Sequence, residues 1–367
     1  MIYKQKTIGF QFCLLFVLLS TIAFTILGAL TIKLTPHEKY NFTGQANKCI
    51  LFIGDGMGEA HVKTAEAYFE KKMSFTNFPL QGYVTTNSLN LVGPTDSAAA
   101  ASALATGLKY QNGVISLDGK EVKTICDYFH EKGLGVGIIT TDNLAGATPA
   151  GFSAHAKDRG DTDDIIRTQL TSEVDLFIGS GTSTYTPYLE TIEENGYQFI
   201  TSFSELAISS QKIIATFEQI SYHNNSDTNP TLSSVVEFAY QYFETNYPDG
   251  YFMMIEGAHI DKRSHDNNIT SMVNYLNAFD EAINLLYNHL KNDNYFIMVT
   301  ADHETGHLDY QGESKGAINN QMYKSTSHTS RDVPYYISTS LKDLKDITPI
   351  IDNTEVFQIY HTIIKNV

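Results

Sequence analysis

The chain has 367 residues, of which 42% are apolar, and its formal net charge is −16. This length supplies the core of one large α/β domain or of two small ones. An acidic surface repels phosphodiester backbones, which argues against a general nucleic-acid-binding protein. A phosphate substrate would therefore need a local positive patch, such as metal ions or a well-placed arginine.

The N-terminal region contains an uncharged, mostly apolar run, residues 8–32, with two lysines before it and one after it. At about 1.5 Å per residue the run is long enough to cross a hydrocarbon core about 30 Å thick. It predicts an uncleaved signal anchor at residues 1–33, which would hold the chain at the cell membrane with the rest exported. One alternative is a cleaved signal peptide, which would leave the protein secreted. Another is a helix buried in the protein core.

A polar stretch, residues 34–48, follows and is predicted to be a tether, with the catalytic domain at residues 49–367. Apolar runs that end in Gly or polar residues begin at Cys49, Gly135, Val174, Tyr251 and Tyr295. Stretches with helical character lie between and around them, at residues 59–71, 124–132, 163–171, 232–244 and 271–292. This alternation predicts an α/β fold with a mostly parallel central sheet sandwiched by helices.

Several of these strands end in polar or acidic residues, namely Asp55, the segment 140–142, Glu256 and Asp302. In open α/β sheets, ligands bind beyond the carboxyl ends of the strands. Four such ends therefore predict a site at one edge of the sheet.

The cysteines carry little functional information, because neither Cys49 nor Cys126 lies in a CxxC or Cys/His zinc pattern. We expect two buried free thiols, with a single disulfide between them as the alternative.

A set of Asp and His residues has the chemistry of a zinc site. Asp261 and His265 are four residues apart, so one helical turn would place them on the same face. Individually, each residue has a simpler explanation, such as a helix cap, a solvated helix face or an ordinary histidine. The set consists of Asp55, Asp261, His265, Asp302, His303 and His328.

A small-residue segment, residues 95–107, predicts a helix that begins at Ser97. A serine before an alanine-rich helix is often only a cap. The start of a helix also has a positive potential that favours an oxyanion and an incoming phosphate, so Ser97 is a candidate nucleophile.

Six segments of the chain resemble the motifs of the alkaline phosphatase family, in the family's order, and extend from about Ile50 to Pro334. They are Ile-Gly-Asp-Gly-Met-Gly at 53–58, Thr-Asp-Ser-Ala-Ala-Ala-Ala-Ser-Ala-Leu-Ala-Thr-Gly at 95–107, Ala-Thr-Pro-Ala-Gly at 147–151, Met-Ile-Glu-Gly-Ala-His-Ile-Asp-Lys-Arg-Ser-His at 254–265, Val-Thr-Ala-Asp-His-Glu at 299–304 and Ser-His-Thr at 327–329. The resemblance implies hydrolysis of phosphate monoesters to alcohol and inorganic phosphate through a phosphoserine on Ser97.

The resemblance also implies three metal sites. One Zn²⁺ would be bound by Asp261, His265 and His328, and a second by Asp55, Asp302 and His303, with Ser97 joining when ionised. A magnesium-type site would use Asp55, Thr148 and Glu256, because oxygen ligands suit a hard cation.

Three further residues match positions that contact or orient phosphate in the family. Arg159 would hold two phosphate oxygens at once with its planar guanidinium. Asp96 would position Arg159, and Lys262 resembles a residue that contacts phosphate through water in some members.

The sequence departs from the family at Gly146, where some members place an Asp or His beside the third metal. The departure predicts weak, exchangeable magnesium and a more mobile Lys262, unless Asp142 or Asp158 fills the gap. The histidines His155, His259 and His307 match no ligand position and are assigned to packing or to second-shell contacts.

The expected substrates are small phosphate monoesters, and a homodimer is left open. A phosphodiesterase or nucleotide pyrophosphatase of the same superfamily is the nearest alternative, although such enzymes commonly use a threonine nucleophile. A non-catalytic surface protein that binds phosphate or metal is the alternative from another class.

Overall fold

The computed structural model describes residues 39–223 and 226–367. From Tyr40 onward these residues form one compact unit around a ten-stranded sheet. Within the described residues, no helix is long and apolar enough to cross a membrane. The predicted signal anchor, with its apolar run at 8–32, lies outside the described residues.

Strands and helices alternate over most of the described chain. The strands are β1 (Lys48–Ile53), β2 (Leu80–Thr85), β3 (Gly135–Asn143), β4 (Leu176–Ser180), β5 (Tyr197–Ile200), β6 (Lys212–Phe217), β7 (Tyr251–Glu256), β8 (Tyr295–Thr300), β9 (Glu304–Thr305), β10 (His328–Thr329), β11 (Val333–Thr339) and β12 (Ile350–Asp352). The α-helices are α1 (Glu59–Phe69), α2 (Ser97–Thr106), α3 (Ile125–His130), α4 (Ala147–Ser153), α5 (Thr162–Leu170), α6 (Thr182–Tyr185), α7 (Leu189–Glu194), α8 (Leu232–Asn246), α9 (His259–His265), α10 (Ile269–Leu290) and α11 (Asn353–Lys365).

The large sheet has the strand order β12-β2-β11-β8-β1-β7-β3-β4-β6-β5. Neighbouring strands are parallel except at β11, which runs antiparallel to both β2 and β8. The prediction of an α/β fold with a mostly parallel sheet is confirmed. Strands β8, β1, β7 and β3 are adjacent, and their register aligns Thr300, Ile53, Glu256 and Thr140. The polar ends predicted from the sequence therefore meet at one edge.

Helices cover both faces of the sheet, as β7 shows. Phe252 packs against Phe129 of α3 and Tyr360 of α11. Its neighbour Tyr251 points to the opposite face and stacks on Phe243 of α8. Strands that are buried on both faces have continuous apolar sequences, and this is why the central strands can be predicted from the sequence. Burying each large apolar side chain contributes about 1.5–3 kcal/mol.

The small residues of α2 allow this helix to lie deep in the molecule. All ten of its residues are buried. Where α4 crosses it, a Cβ on Gly151 would lie 2.9 Å from Ala101 Cβ, closer than carbon atoms pack. The alanine-rich segment therefore forms a buried helix that fixes the position of Ser97 at its start.

The described end of the predicted tether, residues 34–48, contacts the folded body. Tyr40 and Phe42 are buried, and the Tyr40 hydroxyl donates to Glu355 at 3.1 Å. Of the three cysteines in the sequence, the two in the described residues, Cys49 and Cys126, are buried free thiols, as predicted.

Candidate active site

The candidate nucleophile lies at the first residue of α2. Asp96 caps this helix, because its Oδ1 accepts from the backbone N–H of Ala99 at 3.0 Å. Ser97 is therefore held in the first turn, where the unpaired N–H groups of the helix create a positive potential. Its Oγ lies 3.2 Å from Nε2 of His303.

The second carboxylate oxygen of Asp96 orients the predicted phosphate-binding arginine. It accepts from the backbone N–H of Gly113 at 3.0 Å and from Arg159 Nη1 at 3.2 Å. The Arg159 side chain is 42% exposed. A guanidinium has five N–H donors, so this bond leaves others to face a ligand. One carboxylate thus connects the helix start that presents Ser97 to the arginine.

A first group of metal-binding side chains, the buried cluster, consists of Asp55, Asp302 and His303. It forms at the carboxyl ends of β1 and β8. Nε2 of His303 lies 3.5 Å from Asp55 Oδ1 and 3.3 Å from Asp302 Oδ2. Both of these carboxylate oxygens are buried and make no hydrogen bond to the described residues. Buried polar atoms normally have partners, so two unpaired oxygens facing one imidazole nitrogen indicate a cation site.

A second group, the open cluster, consists of Asp261, His265 and His328. Asp261 and His265 lie on α9, with Asp261 Oδ1 at 3.3 Å from His265 Nε2. His328, on β10, places its Nε2 at 3.2 Å from His265 Nε2 and at 3.7 Å from Asp261 Oδ1. The rings of His303 and His328 stack at 3.5 Å, which brings the two clusters into contact.

The three histidines all direct Nε2 into the clusters, because each Nδ1 is occupied elsewhere. His265 donates from Nδ1 to the Thr326 carbonyl at 2.6 Å, and His328 donates from Nδ1 to the Thr95 carbonyl at 2.9 Å. A carbonyl only accepts, so Nδ1 carries a proton in both rings, and in the neutral imidazole Nε2 then keeps a lone pair. This is the tautomer that binds a metal ion, with the second nitrogen oriented by a hydrogen bond.

Thr305 was not identified from the sequence, yet its hydroxyl connects the two clusters. It donates to Asp261 Oδ1 at 2.5 Å and lies 3.2 Å from Nδ1 of His303. Because the hydroxyl proton goes to Asp261, its oxygen accepts from His303 Nδ1–H, which fixes the third imidazole. Gly56 leaves room for this contact, since a Cβ there would lie 2.8 Å from Thr305 Oγ1.

The acidic residues at this edge crowd one another. Burial raises the pKa of Asp55 well above its usual value, and the neighbouring carboxylates Asp302, Asp261 and Glu256 raise it further. Burial also raises the pKa of Glu256 to about 7. Carboxylates packed this closely are stabilised as anions by a nearby cation.

The residues predicted for a third metal adjoin the buried cluster. Glu256 ends β7 and accepts a hydrogen bond from the Thr140 hydroxyl. Thr148 lies in α4, and its buried Oγ1 makes no hydrogen bond to the described residues. With Asp55, these side chains supply oxygen atoms alone, the ligand chemistry of a hard cation.

Lys262 has an acidic partner despite the glycine at position 146. Its Nζ lies 2.5 Å from Asp142 Oδ1. A Cβ on Gly146 would lie 2.8 Å from the Asn143 carbonyl oxygen and 3.8 Å from Asp142 Oδ2. Asp142 therefore reaches the neighbourhood of Gly146 from the end of β3. The structure thus favours the alternative in which Asp142 fills the gap, and the ion pair restrains the Lys262 amine.

Of the other histidines near the motifs, His155 and His259 contact neighbouring residues, whereas His307 is exposed. His155 donates from Nδ1 to the Ser116 carbonyl at 2.8 Å, and His259 stacks on Tyr275. His307 lies in the loop after β9 with a φ of 47°.

Comparison with known proteins agrees with this geometry. The family model described as alkaline phosphatase matches residues 46–348. Alkaline phosphatase 3 of Bacillus subtilis (strain 168) is 26% identical over 355 residues, covering 90% of this chain and 76% of that protein. Alkaline phosphatase of Escherichia coli (strain K12) is 28% identical over 330 residues, which cover 70% of each protein.

The solved structure of alkaline phosphatase from the Antarctic bacterium TAB5 is also similar. It superposes with a TM-score of 0.75 at 26% identity, covering 88% of this chain and 98% of that one. The family model covers most of the chain, and the relatives and the fold agree with it. The chain therefore belongs to the alkaline phosphatase family, the phosphomonoesterases that its sequence motifs resemble.

Proposed function

We propose that the protein hydrolyses phosphate monoesters through a phosphoserine formed on Ser97, at a site with two Zn²⁺ ions and one Mg²⁺ ion. One observation carries the proposal: two overlapping groups of donors, Asp55/Asp302/His303 and Asp261/His303/His328, could each hold a metal ion, and they share His303, whose Nε2 lies 3.2 Å from the Ser97 hydroxyl. This donor set suits zinc.

We propose that the ligands divide as the resemblance implies. Asp55, Asp302 and His303 would hold one Zn²⁺, and Asp261, His265 and His328 the other. Thr148 and Glu256, with Asp55, would hold Mg²⁺, and a variant of the TAB5 enzyme has Mg bound in its M3 site. When bound, such ions supply positive charge that stabilises the attacking and departing oxygens of an in-line displacement.

The chain's own residues then have distinct tasks. Ser97 Oγ forms the bond to phosphorus while the bond to the alcohol oxygen breaks, and the alcohol leaves with a proton. Arg159, oriented by Asp96, binds two non-bridging oxygens of the phosphate. Water then cleaves the phosphoserine and returns Ser97 to its starting state. The start of α2 favours the anionic groups in both steps.

The pairing of Ser97 with Arg159 favours a monoester over a diester. A monoester keeps three non-bridging oxygens, two of which fit the guanidinium, whereas a diester gives one of them to a second alcohol. A non-catalytic binding protein would be marked by the loss of metal ligands, and every expected ligand except the one at the Gly146 position is present.

Phosphate release from an aryl monoester and from the matching aryl diester tests the proposal. We expect rapid release from the monoester, its loss after chelation and its return with added zinc and magnesium. Equal or faster cleavage of the diester would identify a phosphodiesterase instead. Activity that survives removal of all metal would contradict the metal assignment.

The location of the enzyme is a separate proposal, which rests on the apolar run at residues 8–32. We infer a membrane-anchored, exported catalytic domain. N-terminal sequencing of the native protein decides the matter, because a mature terminus beyond residue 30 would show a cleaved signal peptide and a secreted enzyme. A homodimer stays a prediction, which sedimentation of the purified protein tests.

A further inference from the structure

A large cleft opens beside the catalytic residues, on the same edge of the sheet. It has a volume of about 1060 Å³ and lies at the ends of β3, β4 and β6. The cleft and the catalytic centre share β3, which pairs with β7 on one side and β4 on the other. Adjacent strands are about 4.8 Å apart, so β4 is about 10 Å from β7. A group attached to the bound phosphate can cover that distance.

The Asp142–Lys262 ion pair forms the boundary between the two regions. Asp142 lines the cleft and holds Lys262, which directly follows the metal-binding Asp261. The backbone N–H of Asp142 donates to the Thr140 hydroxyl at 3.0 Å, and Thr140 in turn donates to Glu256. The wall of the cleft is therefore attached directly to the catalytic centre.

Most of the side chains that line the cleft carry hydroxyl groups. Among the described residues that line the cleft, Asp142 and Glu218 are the only ionisable ones, and both are acidic. Lys262 offsets the charge of Asp142, so the repulsion of a second anionic group on a substrate comes from Glu218. Hydroxyl side chains donate and accept hydrogen bonds, which matches the hydroxyl groups of a polyol. The hydroxyl residues are Ser180, Thr182, Ser183, Thr184, Thr186, Thr201 and Thr228.

Part of this wall is held in place by internal hydrogen bonds. Asn143 donates from Nδ2 to Thr184 Oγ1 at 3.0 Å, and Thr182 donates to the Thr216 carbonyl at 3.1 Å. Ser183 and Thr201 are exposed to the cleft. A binding site whose frame is already ordered loses less entropy when a ligand binds.

We propose that this cleft is a subsite for the alcohol part of the substrate, and that it selects uncharged polyhydroxylated alcohols such as those of sugar phosphates. The inference rests on the proposed phosphatase activity and adds the substrate class. It predicts that glucose 6-phosphate is hydrolysed with a higher kcat/KM than 6-phosphogluconate, which carries a carboxylate at its far end.

The test compares glucose 6-phosphate with 4-nitrophenyl phosphate on the metal-loaded enzyme. The double variant Ser183→Ala/Thr201→Val removes two exposed hydroxyls, and we expect a loss of about ten-fold in kcat/KM for the sugar phosphate alone. Ser183→Trp, which puts a bulky apolar side chain into the cleft, should act in the same direction. Ser210→Ala, an exposed serine that does not line the cleft, is the matched control.

The outcomes separate the two proposals. Selective loss with the sugar phosphate supports the subsite. An equal loss with both substrates, no loss with either, or a preference for 6-phosphogluconate would overturn it. Failure of the parent enzyme to release phosphate from 4-nitrophenyl phosphate would instead overturn the proposed function.

Discussion

The buried and the open cluster contain similar ligands but are built from different elements. Asp55, Asp302 and His303 follow two central strands, and the His303 and Asp302 side chains are 0% exposed. Asp261 and His265 lie on α9, while His328 comes from β10, and the His265 side chain is 38% exposed. The first cluster is thus fixed by the sheet, whereas the second depends on a short helix and a loop that returns to the site.

This difference predicts different behaviour toward metals. A site enclosed by strands has little freedom to relax when a ligand is lost, whereas an exposed site can exchange ligands with solvent. We expect a chelator to remove the ion of the open cluster first. The variants below test that contrast, from the largest expected effect to the smallest.

Asp302→Asn should have the largest effect on the buried cluster. It keeps the shape of the side chain but removes a buried charge, so one zinc ion is lost and activity falls by several orders of magnitude. Metal analysis and monoester hydrolysis measure both effects. Added zinc should restore little of the rate, because the Asp302 side chain is fully buried and its lost charge cannot readily be replaced from solvent. Full recovery at micromolar zinc would show that the buried cluster is as adaptable as the open one.

His265→Ala tests the open cluster. Activity should fall by more than the roughly 10–100-fold typical of residues outside the coordination shell. Because the vacated space faces solvent, free imidazole should restore part of the rate. His303→Ala is the matched variant in the buried cluster, and imidazole should have no effect there. Rescue of both variants, or of neither, would contradict the proposed contrast in access.

Thr305→Val removes the hydroxyl that connects the clusters while keeping the side-chain volume. Asp261 and His303 lose their shared partner, and zinc affinity should fall by about 10–100-fold. Thr305→Ser retains the hydroxyl and should bind zinc nearly as tightly as the parent. Competition with a coloured chelator measures the affinity. Equal zinc affinities for the Val and Ser variants would show that the Thr305 hydroxyl does not contribute to zinc binding.

Gly146→Asp should have the smallest effect on metal binding, because Asp142 already supplies an acidic group beside Lys262. The new Cβ would approach the Asn143 carbonyl, and overpacking of this kind costs about 1–3 kcal/mol. Gly146→Ala shares that cost and is the control. Magnesium titration of zinc-loaded protein measures the effect, and clearly tighter magnesium with Asp would show that Asp142 does not compensate.

The central strands and the ligands Asp55, Asp302 and His303 were predictable, because buried parallel strands are continuous apolar runs and these residues follow their ends. The roles of Asp261, His265 and His328 came from helical spacing and from the resemblance to the family. The outer strands β2, β11 and β12 could not be predicted from the sequence. Strand β2 alternates in exposure and β12 has three residues, so neither gives a long apolar signal. The antiparallel direction of β11 depends on its pairing with β8 and β2, which no local pattern encodes.

Thr305 was missed for a related reason, and the hydrogen bond from Thr140 to Glu256 was not predicted. Thr305 and Thr140 are ordinary threonines in the sequence, and only the fold places them beside carboxylates. The long polar connection after His303 reaches the site through the pairing of β9 with β10, which aligns His328 with Thr305. The ion pair of Asp142 with Lys262 likewise joins residues that are far apart in the sequence.

The central claim is that Ser97 is the nucleophile of a metal-dependent phosphomonoesterase, and the monoester turnover of Ser97→Ala tests it most directly. The matched control is Ser102→Ala, whose hydroxyl lies in the same helix and donates to the Val114 carbonyl at 3.3 Å. With metal content unchanged, we predict that Ser97→Ala loses several orders of magnitude in turnover while Ser102→Ala stays within a few-fold of the parent. Full turnover in Ser97→Ala would contradict the account.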